Sequence, residues 1–114
     1  MYDLTVKQKQ LQASASEFAK KEIAPRAAEV DRTEKYPWEN VELLTNQGFM
    51  GMTIPKSYGG KGMTYLDTLL VIEEIAKACG VTARIVVEAN MGAIGAVMKY
   101  GTEVQKKLAA EHVL

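Results

Sequence analysis

Residues 51–63 read GMTIPKSYGGKGM and place five glycines or prolines in thirteen positions, between two segments with helical apolar spacing. Such a run is either a loop that cradles phosphate or a rigid connector between helices. A Walker-type loop needs a glycine, four residues, then Gly-Lys-Ser/Thr. With Gly60 and Lys61 at the Gly-Lys positions, Pro55 occupies the first glycine and Gly62 the hydroxyl position. A dinucleotide fingerprint started at Gly60 meets Tyr65 where its third glycine belongs, and no strand pattern precedes it. The run is therefore read as a connector. Pro55 forbids helix continuation and pushes Ile54 toward extended backbone. Tyr58 is expected to bury its ring beside Met52 or Ile54 with its hydroxyl in water. Gly59 and Gly60 supply backbone angles closed to other residues.

Outward from the connector, the pattern is helical. Over residues 5–32 the apolar positions Leu11, Ala15, Phe18, Ala19, Ile23, Ala27 and Val30 keep three-or-four spacing. Pro25 inside that pattern predicts a kink or break near Ala24. A short helix is expected over residues 38–47, with Pro37 at its start and Gly48 at its end. Another begins at Thr64, where Thr-Tyr-Leu-Asp resembles a capping box, and stops at Gly80. Its inward set is Leu66, Leu69, Leu70, Ile72, Ile75 and Ala76. A single helix over residues 82–100 follows, with Gly101 as a left-handed stop. Thr102 and Gln105 form a full capping box for a last helix. With no alternating strand pattern, the fold class is all-α, an orthogonal bundle of about five to six helices.

Composition narrows the function. Fourteen Lys plus Arg balance fourteen Asp plus Glu, so no net field attracts nucleic acid or an anionic membrane. The single cysteine, Cys79, forms no internal disulfide, and His112 is the lone histidine, so no metal-ligand set is evident. No secretory leader pattern opens the sequence, and a cytoplasmic setting is expected. The longest apolar stretch, residues 85–98, is interrupted by Glu88 and Asn90 and falls short of the roughly 20 residues a spanning helix needs. It is expected to be buried in a soluble fold.

The same stretch holds the candidate site. Arg84 and Glu88 are four apart, on one helix face. Either they pair with each other at the surface, or Arg84 points into a pocket and grips an anion with its planar fork. A buried guanidinium with neither partner would cost several kcal/mol. Ile85 and Met91 are the next candidates on the same helix.

Residues 48–63, GFMGMTIPKSYGGKGM, follow EFAKKEIAPRAAEVDRTEKYP and precede IEEIAKACG and KYGTEVQKKLAA. In that order and spacing they resemble the N-terminal helical domain of the acyl-CoA dehydrogenase family, over essentially all of residues 1–114. The resemblance implies a flavoenzyme with FAD held between a middle β domain and a C-terminal helical domain. Both of those domains, and with them the catalytic carboxylate, are absent from this sequence, so the fragment alone is expected to be inactive. It also implies an acyl-CoA thioester substrate, an electron-transfer flavoprotein as acceptor, and assembly as a homo-oligomer, commonly a tetramer. The helix carrying Arg84, Ile85, Glu88 and Met91 would wall the acyl pocket, and the reaction would be oxidation to the 2,3-enoyl-CoA.

The stretches YPWENV, GFMGM, LDTLLVIEEIAKAC, GAIGAVMKYG and KLAAEHVL are similar to the 3-sulfinopropionyl-CoA desulfinase branch, which releases sulfite. A stand-alone helical interaction module is the third reading. Faces shaped to meet other domains predict that the isolated fragment self-associates.

Overall fold

The computed structural model describes residues 3–114. Thr5 opens α1 (Val6–Phe18): its hydroxyl accepts from the Gln8 N–H, and the Gln8 side chain accepts from the Thr5 N–H. This reciprocal cap satisfies donors a helix start otherwise leaves bare. The next turn, Ala19–Ile23, widens to π geometry, the Ala24 N–H reaching the Ala19 carbonyl, and α2 (Ala24–Thr33) continues from it. Pro25 is the cause. Its ring crowds the carbonyl four residues back and it offers no N–H, and a wider turn accommodates both.

Next come α3 (Trp38–Gln47), α4 (Tyr65–Ala78), α5 (Gly80–Asn90), α6 (Ala93–Tyr100) and α7 (Glu103–Val113). Reciprocal caps at Thr64 with Asp67 and at Thr102 with Gln105 start α4 and α7, as their sequences predict. Gly48 ends α3 at φ 83°. No strand occurs among the described residues. Counting α1–α2 and α5–α6 as one interrupted rod each, the all-α bundle has five rods.

Three expectations are corrected. The helix over residues 82–100 is two: the chain breaks at Met91 and Gly92, whose N–H groups both reach the Val87 carbonyl. Gly101 is extended rather than left-handed, at φ −74° and ψ 163°. Its missing Cβ matters instead through crowding, since one would lie 2.6 Å from the Val97 carbonyl oxygen. Gly80 does not stop α4; Cys79 does, in extended backbone, and Gly80 opens α5.

The inward face of α4 also differs. Thr68, Leu70, Val71, Glu74 and Ile75 are buried, while Leu66, Leu69 and Ala76 are exposed. An element apolar nearly all round does not announce its buried side. The choice falls to packing, and α4 is wedged between α1 and α5. Two polar residues go inside because each brings a partner. Thr68 Oγ1 donates to the Thr64 carbonyl at 3.2 Å, and Glu74 accepts from Lys77 Nζ at 2.9 Å.

The main core gathers Ala15, Phe18, Ile23, Leu44, Met52, Val71, Ile75 and Val86 from α1 to α5 and the connector. Phe18 meets Phe49 edge to face, ring centroids 5.4 Å apart. Each fully buried Leu or Ile contributes about 1.5–3 kcal/mol. A smaller cluster of Ile54, Ile94 and Ala110, flanked by Tyr58 and Met98, fastens α6 and α7 to the connector. The molecule measures 40 × 37 × 22 Å, so its thin direction holds two layers of helices.

The connector turns on itself. The N–H groups of Tyr58, Gly59, Gly60, Gly62 and Met63 donate to the carbonyls of Pro55, Lys56, Pro55, Ile54 and Met52. None of these donors is left for a phosphate. A Cβ at Gly60 would collide with the Ile54 carbonyl, and Gly59 takes φ 91°. The ring of Tyr58 packs toward Ile54, and its exposed hydroxyl donates to Glu103 Oε2 at 2.5 Å.

Gly80–Tyr100 is, by length and composition, apolar enough to cross a membrane. Its break at Met91–Gly92 interrupts the backbone ladder that lipid demands, and α5 packs against α4, α3 and α6.

Candidate functional site

Two polar staples hold α5 in place. Asn40, wholly buried, accepts from Arg26 Nε at 2.8 Å and donates to Thr82 Oγ1 at 2.9 Å, tying α2 and α3 to the start of α5. At the other end Asn90, also wholly buried, donates to the Phe49 and Val86 carbonyls at 3.0 and 2.9 Å. Thr53 Oγ1 returns a bond to the Asn90 carbonyl at 2.6 Å. The connector is thereby pinned against α5, which brings Met50 beside the helix.

Between these staples lies an open cleft of about 440 Å³, lined by Tyr36, Met50, Arg84, Ile85, Glu88 and Ala89. Ile85 and Ala89, one turn apart on α5 and both nearly buried, line it with Met50 as its apolar part. Arg84 and Glu88, also one turn apart, bring its charges. Arg84 Nε donates to Glu88 Oε1 at 3.0 Å, with the two side chains 74% and 50% exposed. So the surface pair is formed, and it stands on the rim of a cleft. The bond runs through Nε, and the two terminal nitrogens of the fork make no hydrogen bond among the described residues. A side chain at position 92 would meet Glu88 Oε2 and require that half-exposed carboxylate to shift, so glycine at the helix break leaves it this position.

Of the four residues the sequence nominates, the structure gathers Arg84, Ile85 and Glu88. Met91 sits half-buried at the break, outside the cleft lining. Tyr36, Met50 and Ala89 line the cleft without having been nominated. Ala89 follows from Ile85 by helical phase, but Met50 and Tyr36 come from other elements, where no local signal ties them to α5.

A larger hollow of about 610 Å³ lies where α1 and α4 begin, lined in part by Lys7, Gln8, Lys61 and Asp67. Its polar groups serve the helix caps: Gln8 Nε2 donates to Asp67 Oδ1 at 3.1 Å, joining the two capping boxes. Burial raises the Asp67 pKa, but the bonds from Gln8 and Thr64 outweigh it and hold the carboxyl below its usual range.

Residues 5–112 match the family model described as acyl-CoA dehydrogenase, N-terminal domain. The chain is 62% identical, over all of its length and 29% of the relative's, to the 3-sulfinopropanoyl-CoA desulfinase of Variovorax paradoxus. It is 37% identical to the short-chain-specific acyl-CoA dehydrogenase of Clostridium acetobutylicum, over 93% of this chain and 28% of that protein. Butyryl-CoA dehydrogenase from Megasphaera elsdenii superposes with a TM-score of 0.86 at 27% identity, covering 99% of this chain and 30% of that one. The chain thus spans less than a third of the length of these relatives. The five rods, the self-closed connector and the end-to-end match agree: the chain belongs to the acyl-CoA dehydrogenase family, as its N-terminal helical domain.

Proposed function

We propose that this domain forms one wall of the acyl pocket in a flavin-dependent enzyme acting on a short acyl-CoA thioester with an anionic end. The observation that carries the reading is the Arg84 guanidinium, held through Nε by Glu88 at the rim of a cleft with Met50, Ile85 and Ala89 in its lining. A neutral straight chain gains nothing from that cation, whereas a carboxylate or sulfinate gains two parallel hydrogen bonds from the open terminal nitrogens. Glu88 offsets the charge and fixes the fork's orientation without occupying it.

Of the two chemistries, desulfination of 3-sulfinopropanoyl-CoA is favoured by the 62% identity over the whole chain to a protein of that activity. Oxidation to the 2,3-enoyl-CoA is the second reading, favoured by the match to the short-chain dehydrogenase. A dehydrogenase would pass electrons to an electron-transfer flavoprotein; desulfination requires no such acceptor.

FAD supplies the redox-active ring in this family. The glycine-rich connector does not fit its pyrophosphate, because the N–H groups of Tyr58, Gly59, Gly60, Gly62 and Met63 already donate to connector carbonyls. In this reading flavin binding and the catalytic groups come from the part of the protein that corresponds to the relatives' remaining length.

The test uses the whole protein with 3-sulfinopropanoyl-CoA, succinyl-CoA and butyryl-CoA, following sulfite release and dye reduction. Sulfite without dye reduction is the expected result. Dye reduction with no sulfite favours the dehydrogenase. A preference for butyryl-CoA over both anionic thioesters overturns the anionic pocket.

A further inference from the structure

We infer that Tyr36 sets the length of acyl chain the cleft accepts, an inference that rests on the acyl-pocket reading above. Tyr36 is shared by the linings of two neighbouring hollows. One is the 440 Å³ cleft with Arg84 and Glu88; the other, about 250 Å³, has Val30, Pro37 and Trp38 as its apolar part, beside the charged Arg26, Glu29, Lys35 and Glu39. In this reading the Tyr36 phenol ring, about half exposed, is the partition between them.

The chain holds this partition in place. Glu34, the single described residue other than glycine with positive φ, turns the backbone at the end of α2 with φ 57° and ψ 13°. Such angles are strained for a residue with a Cβ, and they persist where the surroundings enforce them. Two residues later the Tyr36 carbonyl accepts from the Trp38 N–H at 2.9 Å, across a buried Pro37. The Tyr36 ring leans on the Trp38 indole, centroids 4.6 Å apart and tilted by 54°. Trp38 is 71% exposed, so its part in the core is small and its contact with Tyr36 is a buttress. A ring braced in this way loses little freedom when a ligand meets it.

The consequence is a cleft closed at one side. A short tail ends at the Arg84 fork with its methylenes along Met50, Ile85 and Ala89. A longer chain must pass Tyr36 to reach the second hollow. Removing the ring joins the two spaces, and a gain of even one accommodated methylene changes discrimination by about tenfold or more.

The experiment measures Kd for hexanoyl-CoA and succinyl-CoA by titration calorimetry on the whole flavoprotein and its variants. For Tyr36→Ala, the hexanoyl-to-succinyl Kd ratio is expected to fall about tenfold. Tyr36→Val is the second variant, with a smaller fall. Tyr36→Phe, which keeps the ring, retains the original ratio. Equal weakening of both ligands in Tyr36→Ala and Tyr36→Val, or a ratio that does not move, overturns the inference. Arg84→Ala separates the two levels. Loss of succinyl-CoA affinity there with an unmoved Tyr36→Ala ratio removes only the role of Tyr36. An Arg84→Ala protein that binds succinyl-CoA as before removes the pocket and this inference with it.

Discussion

The Asn90 amide donates to the Phe49 carbonyl at 3.0 Å, and this bond joins α5 to the connector in a place with no access to water. Asn90→Ala leaves the Phe49 carbonyl without this donor and the Thr53 N–H without its acceptor, Asn90 Oδ1 at 3.4 Å. Unsatisfied buried groups cost about 1–3 kcal/mol each, and the expected loss is about 3 kcal/mol, read as a lower urea midpoint. A change under about 0.5 kcal/mol would mean that water replaces the amide.

Two glycines should respond in opposite directions. Gly60→Ala drives a methyl into the Ile54 carbonyl and should destabilise by about 2 kcal/mol or more. Gly80→Ala meets nothing within 4 Å in the first turn of α5. It should stabilise by about 0.4–1 kcal/mol, because the unfolded chain loses freedom. Paired thermal melts check both signs.

Tyr58 should titrate late. Its hydrogen bond to Glu103, then burial, then the nearby carboxylate charge, all raise its pKa above the usual phenol value of about 10. A group raised in the folded state stabilises fully below its unfolded pKa and loses that contribution as pH climbs through the folded one. Ultraviolet titration of the five tyrosines should show one delayed component that Tyr58→Phe abolishes. The stability gap between wild type and Tyr58→Phe should be constant below about pH 10 and close above it.

Arg84→Ala should separate stability from specificity. The pair with Glu88 is exposed, and such pairs contribute at most about 0.5–1 kcal/mol, so the melt should scarcely move. In the whole protein, kcat/KM for an anionic thioester should fall about 10–100-fold, matching the roughly 1.5–3 kcal/mol of a charged hydrogen bond. A large melt change with intact specificity would assign Arg84 to the scaffold.

The isolated 114-residue chain should self-associate. Tyr65, Leu66 and Leu69 on α4, and Tyr100, Val104 and Leu108 around α7, are about half exposed or more. Exposed apolar groups of this size mark surfaces that meet protein. Sedimentation should show dimers or larger species, reduced in Leu66→Glu and Leu69→Glu. A monomer at all concentrations would favour a self-standing module.

Sequence alone determined the rods, because their causes lie within a few residues. Thr64 with Asp67 and Thr102 with Gln105 start helices by bonds three positions apart, Pro25 disturbs its own neighbouring turns, and the misfit of Pro55 and Gly62 to a phosphate loop is a matter of counting. Arg84 and Glu88 met for the same reason, being one turn apart. Tertiary structure decided the rest. Leu66 and Leu69 faced outward because α4 is squeezed between α1 and α5, a preference no periodicity of an all-round apolar helix encodes. Gly92 became a break where a carboxylate folds back, and Tyr36 came to stand by Arg84 through a strained turn at Glu34. Those contacts join residues far apart in the chain, and their energies exist only once the helices have packed.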